Sequence, residues 1–133
     1  MRTGRCGLVL LLGMALAGGG VGRGAEAEPL HVLFIGNSYT FANDLPGLLV
    51  KLSVAGRQRR IVTASEAPGG CTFERHVREG RAERLIASRP WDFVVLQEQS
   101  MLPAVAPEQM LEWGARLDAS VQERGGRTLL FQT

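Results

Sequence analysis

The chain has 133 residues, 45% hydrophobic and 21% charged, which fits one globular domain and excludes a disordered or collagen-like polymer. Its 15 Lys+Arg against 13 Asp+Glu give a net charge of +2. Arg2, Arg5 and Arg23 near the start carry that excess. The remainder is close to neutral, without the basic surface that nucleic acid or an anionic membrane requires of a partner.

The first segment is not part of the domain. Arg2 and Arg5 precede an apolar run from Gly7 to Ala17, small residues follow, and Ala25-Glu26-Ala27 suits an Ala-x-Ala cleavage site. This is the architecture of a secretory signal peptide over residues 1–27. It implies a secreted or periplasmic product with no stable membrane insertion after cleavage. The apolar run is short for a bilayer span.

Residues 28–133 read as alternating strands and helices. The run Leu30 to Ile35 is a first strand, followed directly by Gly36-Asn37-Ser38-Tyr39-Thr40. A helix starts near Asp44 to Pro46, with Leu45, Leu48, Leu49 and Leu52 as its apolar face and Gly56 as its stop. Arg60 to Ala64 is a second strand. Arg57, Arg59 and Arg60 before it read as a solvated loop. Glu66 to Thr72, with Pro68 and paired Gly69-Gly70, is a loop. A second helix is expected from Phe73 to Ser88. Phe93 to Leu96 and Thr128 to Phe131 are apolar on both faces, as parallel strands covered on both sides are. Pro107 to Arg124 between them is a third helix, with Met110, Gly114, Leu117 and Val121 on one face. The pattern β-α-β-α-β-α-β predicts an α/β, doubly wound parallel sheet in three layers of flavodoxin-like type.

Such a sheet gathers the carboxyl ends of its strands on one edge, where α/β proteins place their chemistry. Three groups fall there: Asn37-Ser38, Gly69-Gly70-Cys71-Thr72 and Gln97-Glu98-Gln99-Ser100. A hydroxyl, a glycine-rich backbone and carboxamides are what acyl transfer needs: one group attacks a carbonyl and the others donate to the oxyanion. A phosphate cradle at a helix start and a plain tight turn are the other readings of the same turn. The Gly-x-Ser-x-Gly elbow is absent, since Thr40 takes the last glycine position.

Other residues have milder expectations. Cys71 stands alone once Cys6 is removed with the leader, so no internal disulfide follows, and it reads as a small buried thiol. There is no metal-ligand spacing of His and Cys, and no cofactor is expected. His31 begins the first strand, at the far edge from Ser38. His76 reads as a solvated or capping residue of a polar helix, Glu98 as a solvated loop charge, and Trp91 and Trp113 as packing residues.

Gly36-Asn37-Ser38-Tyr39-Thr40, Gly69-Gly70-Cys71-Thr72 and Asp92-Phe93-Val94-Val95-Leu96-Gln97, in that order and each at a strand end, resemble the first three blocks of the SGNH (GDSL-type) hydrolases. The resemblance runs from about Leu30 to Thr133. It implies a serine esterase without a cofactor, acting on small-molecule or carbohydrate esters, with Ser38 as nucleophile. It also implies that the Ser38 and Gly70 N–H groups help form the oxyanion hole. The family's third donor is an Asn. Gln97 stands first for that position here, with Gln99 as competitor. The family's late Asp-x-x-His block, which supplies the base, does not occur. The chain therefore reads as the N-terminal portion of such a domain, ending after about the fourth strand, and is expected to be catalytically silent by itself. A secreted, non-catalytic carbohydrate-binding module and a phosphate- or flavin-binding flavodoxin-like domain are the alternatives.

Overall fold

A computed structural model describes residues 27–133. The expected leader, with Cys6, thus lies outside the described residues except for Ala27.

Four strands form one parallel sheet: β1 (Leu30–Ile35), β2 (Ile61–Glu66), β3 (Phe93–Leu96) and β4 (Arg127–Leu130), in the order β2-β1-β3-β4. β1 pairs with β2 from Leu30 opposite Ile61 to Ile35 opposite Glu66, and with β3 from Val32 opposite Phe93 to Ile35 opposite Leu96. The helices are α1 (Ser38–Phe41), α2 (Leu45–Ala55), α3 (Phe73–Glu79), α4 (Arg81–Ala87), α5 (Leu102–Val105) and α6 (Pro107–Glu123). The expected fold class is the one observed. The winding reverses at β1: one crossover leads outward to β2, the next two lead the other way to β3 and β4. Right-handed connections then place α2 on one face and α3, α4 and α6 on the other.

The core lies under α3, α4 and α6. Leu33, Ile35, Val94 and Leu96 point to that face and pack with Phe73, Ala82, Ile86, Leu117 and Val121. The period-2 alternation sends Val32 and Phe34 to the opposite face, where both are buried. Trp91 is buried against the core and donates its indole N–H to the carbonyl of Leu85 at 2.9 Å. Trp113 lies beneath the guanidinium groups of Arg78 and Arg116, 5.4 and 4.2 Å from its ring centre. Both tryptophans are packing residues, as expected.

Four expectations need correction. The second helix is two helices, because Gly80 adopts φ 65° and closes α3 with its N–H on the carbonyls of His76 and Val77. An L-residue rarely takes that left-handed conformation, whereas glycine takes it freely. The apolar face assigned to α2 is not buried: Leu48 and Leu52 are 46% and 60% exposed, and Ser53 is the buried residue of that helix. β4 is not covered on both sides either, since Leu129 and Leu130 are 47% and 68% exposed. β2 also runs two residues further than expected, to Glu66. Among the described residues no helix is long and apolar enough to cross a membrane.

Candidate active site

The turn after β1 is held from three directions. Gly36 donates its N–H to Glu66 at the end of β2 (3.1 Å) and accepts at its carbonyl from His76 Nε2 (2.8 Å). Gly36 has no side chain because there is no room: a Cβ would overlap Thr40 Oγ1 and stand 2.8 Å from Gln97 Oε1. Asn37 caps α1, its Oδ1 accepting from the Tyr39 N–H at 3.3 Å. Asn37 Nδ2 donates to the Cys71 carbonyl at 3.0 Å. Ser38 follows as the first residue of α1, half-buried at the carboxyl end of β1.

The loop after β2 meets this turn. Cys71 N–H donates to the Pro68 carbonyl at 3.1 Å, closing a β-turn with Gly70 at its third position. Gly70 has φ 64°, which that position of a type II turn requires. It is exposed, and a Cβ there would meet nothing within 4 Å. Glycine is thus demanded by backbone conformation and not by crowding. Neither the Ser38 N–H nor the Gly70 N–H donates to an acceptor among the described residues. Cys71 is fully buried, and burial pushes its thiol above the ordinary value, so it is an inert packing thiol as expected.

The segment after β3 departs from its expected role. Gln97 is 1% exposed. Its Oε1 accepts from the Asn37 N–H at 3.1 Å and from Thr40 Oγ1 at 3.0 Å, and its Nε2 donates to the Glu98 carbonyl. A carboxamide so enclosed does not present an N–H to an oxyanion, so Gln97 is corrected from donor to buried anchor. Gln99 is nearer the surface and accepts at Oε1 from the Met101 N–H (2.8 Å). Glu98 is not a solvated charge. It is 5% exposed, and its Oε1 accepts from the N–H groups of Phe73 (3.0 Å) and Gln99 (2.7 Å). Burial raises its pKa above the ordinary carboxylate value, with those two contacts pulling the other way.

Neither histidine is placed to act as a base on Ser38. His31 lies at the amino end of β1, where its backbone N–H donates to Asp92 Oδ2 at 2.7 Å. His76, expected at the surface, is 2% exposed. Burial holds its pKa below the ordinary imidazole value, partly offset by its contact with Gly36. The ring is therefore neutral near pH 7, and since a carbonyl only accepts, the proton sits on Nε2. Among the described residues no cluster of His, Cys, Asp and Glu has metal-site geometry.

The three expected strand-end groups thus share one edge of the sheet. Ser38 and Gly70 stand there with free backbone donors, and Gln97 lies beneath them. Asn37, Thr40, His76 and Glu98, which the sequence reading left without site roles, build the scaffold. Asn37, Thr40 and Glu98 carry one sequence signal, their place in the polar turns directly after β1 and β3; His76, inside a charged helix, carries none.

No protein-family model matches the chain, and no curated protein does. Solved structures do. A candidate SGNH hydrolase from Slackia heliotrinireducens superposes with a TM-score of 0.70 at 29% identity, over 80% of this chain and 57% of that one. TesA gives 0.61 at 20% identity, over 75% of this chain and 58% of that one. The acetyl xylan esterase AlAXEase gives 0.57 at 19% identity, over 76% and 57%. The last two are likenesses of fold. This chain spans less than three-fifths of the length of each. Its described residues form a parallel-sheet α/β fold that matches SGNH hydrolase structures over about 80% of this chain.

Proposed function

We propose that the protein is a secreted serine ester hydrolase of SGNH type. The observation that carries this reading is the Asn37–Cys71 bond, which ties the Ser38 turn to the Gly70 loop while both backbone donors stay free. In the proposed reaction Ser38 Oγ attacks the ester carbonyl carbon, and its proton passes to a base. The carbonyl oxygen, now an anion, accepts from the Ser38 and Gly70 N–H groups. The alkoxide leaves with that proton, and water then releases the acid from the acyl-serine. One oxyanion donor is worth about a hundred- to a thousandfold in rate. The base is not among residues 27–133, where both histidines are engaged elsewhere. Residues 28–133 alone are accordingly expected to turn over esters slowly or not at all. Acyl esters of extracellular or cell-envelope carbohydrate are the proposed substrates, supported by the leader-like N-terminus and by the likeness to an acetyl xylan esterase.

The test uses the full-length gene product. A fluorophosphonate should add to the peptide carrying Ser38, Ser38→Ala should abolish labelling, and acetylated xylan should release acetate. Turnover that survives Ser38→Ala overturns the proposal. A second reading, a non-catalytic carbohydrate-binding module, is favoured by Tyr39 and Phe41, 55% and 53% exposed beside Ser38. It predicts oligosaccharide binding by calorimetry with no Ser38 labelling.

A further inference from the structure

We infer that Gln97 is a positioning residue for Ser38, acting through Asn37 and Thr40, and that it is not the third oxyanion donor. This rests on the hydrolase reading above. The carboxamide oxygen accepts from the Asn37 N–H at 3.1 Å and from Thr40 Oγ1 at 3.0 Å. Those two groups lie on either side of Ser38 along the chain, so one acceptor fixes the backbone both before and after the nucleophile. Gln97 is itself fixed: its N–H donates to the Ile35 carbonyl at 2.9 Å, and its side-chain amide is drawn to the Glu98 carbonyl. The Ser38 turn is thereby referenced to the β1–β3 pairing, the most buried part of the sheet.

Side-chain length explains the role. Gln is one methylene longer than Asn, and at this strand end the extra reach carries the carboxamide under the turn and out of the cleft. Burial to 1% exposure then denies it to any substrate atom. Gly36 completes the fit, since a Cβ there would strike both Thr40 Oγ1 and Gln97 Oε1. Of the three donor positions expected from sequence, the described residues fill two, both with backbone N–H groups. Backbone donors depend wholly on backbone orientation, which is what Gln97 holds.

The experiment is a double-mutant cycle on ester hydrolysis by the full-length protein, with kcat and KM measured separately. Thr40→Val keeps the shape of Thr40 and removes its hydroxyl. Gln97→Met keeps the length of Gln97 and removes its acceptor. A misplacement of up to an ångström costs about a hundredfold, so each variant is expected to lower kcat by about ten- to a hundredfold, with KM within about threefold. Residues sharing one contact are not additive, so the double variant should be no slower than the worse single variant. Thr40→Ser, which keeps the hydroxyl, should restore most of the rate.

Multiplicative losses would mean that Gln97 works independently of Thr40, as an oxyanion donor would, and overturn the inference while leaving the hydrolase reading intact. Unchanged kcat in Thr40→Val overturns it in the same way, and that variant carries the test alone should Gln97→Met not fold. Absence of Ser38-dependent turnover in the wild-type protein fails the hydrolase reading itself, and this role with it.

Discussion

Asn37 Nδ2 and the Cys71 carbonyl lie 3.0 Å apart, and that one contact joins the turn bearing Ser38 to the loop bearing Gly70. Both residues are essentially excluded from solvent. Removing the donor leaves a buried carbonyl without a partner, a loss of about 1–3 kcal/mol. Asn37→Ala should therefore lower the midpoint of urea unfolding, and it should also slow labelling of Ser38. Equal stability of variant and wild type would show that the contact is not formed in solution.

Glu98 makes stability depend on pH in an unusual direction for a carboxylate. Its folded pKa is raised by burial above the ordinary 4.5, so the native state holds its proton longer than the unfolded state. Its contribution is fully present below pH 4.5 and is lost as pH rises through the elevated value. Glu98→Gln retains an oxygen for the Phe73 and Gln99 N–H groups without the charge. Its thermal midpoint, relative to wild type, should rise between about pH 4 and pH 7, as scanning calorimetry at several pH values would show.

His76 works in the opposite sense. Burial depresses its pKa below 6.5, so the unfolded state takes up a proton first as pH falls. Stability is complete above 6.5 and declines as pH falls through the depressed folded value. His76→Gln, whose amide can still donate to the Gly36 carbonyl, should flatten that acid limb. His76→Ala should cost about 1–3 kcal/mol at neutral pH by orphaning the same carbonyl. A chemical-denaturation series from pH 7.5 down to about pH 5 separates the two.

Gly80 divides what the sequence presents as one helix. Its φ of 65° is left-handed, and a Cβ would lie 3.2 Å from an Arg84 guanidinium nitrogen. Gly80→Ala should destabilise by about 1–2 kcal/mol, and since Gly80 reaches the Ser38 turn only through His76, any loss of Ser38 labelling should follow the lost stability. A loss of labelling disproportionate to the lost stability would contradict this.

The elements most legible in the sequence were those whose neighbours are apolar on every side. β1 and β3 are continuous apolar runs, and α6 shows its buried Leu117 and Val121 at helical spacing. The break at Gly80 is not legible in sequence because a single glycine inside a charged helical pattern can be tolerated there as well as terminate it. Leu48 and Leu52 are exposed despite their spacing because periodicity reports that a helix has an apolar face, not that a partner lies against it. At the site, the positions of Ser38 and Gly70 in the turns after β1 and β2 are legible from turn chemistry, which is local. The direction of the Gln97 carboxamide was not, because the donors that capture it lie 60 and 57 residues away along the chain. Glu98 and His76 escaped for the same reason: a polar residue becomes a buried anchor only when a distant backbone group arrives to satisfy it.

Those distances have a consequence for how the site comes into being. Gln97 and Asn37 join segments 60 residues apart, His76 and Gly36 segments 40 apart, and Asn37 and Cys71 segments 34 apart. Each of these long-range contacts on the Ser38 turn awaits the closure of a long loop, and none of the three can offset that entropy before β1, β2 and β3 have met. A peptide spanning the first strand and helix would carry the whole Gly-Asn-Ser-Tyr-Thr signature and its local Asn37 cap, but none of the contacts that seat the turn against the loops after β2 and β3. Nucleophile geometry and sheet assembly are one cooperative event, so a lesion in a remote strand should reduce the number of competent molecules while leaving each survivor at full rate.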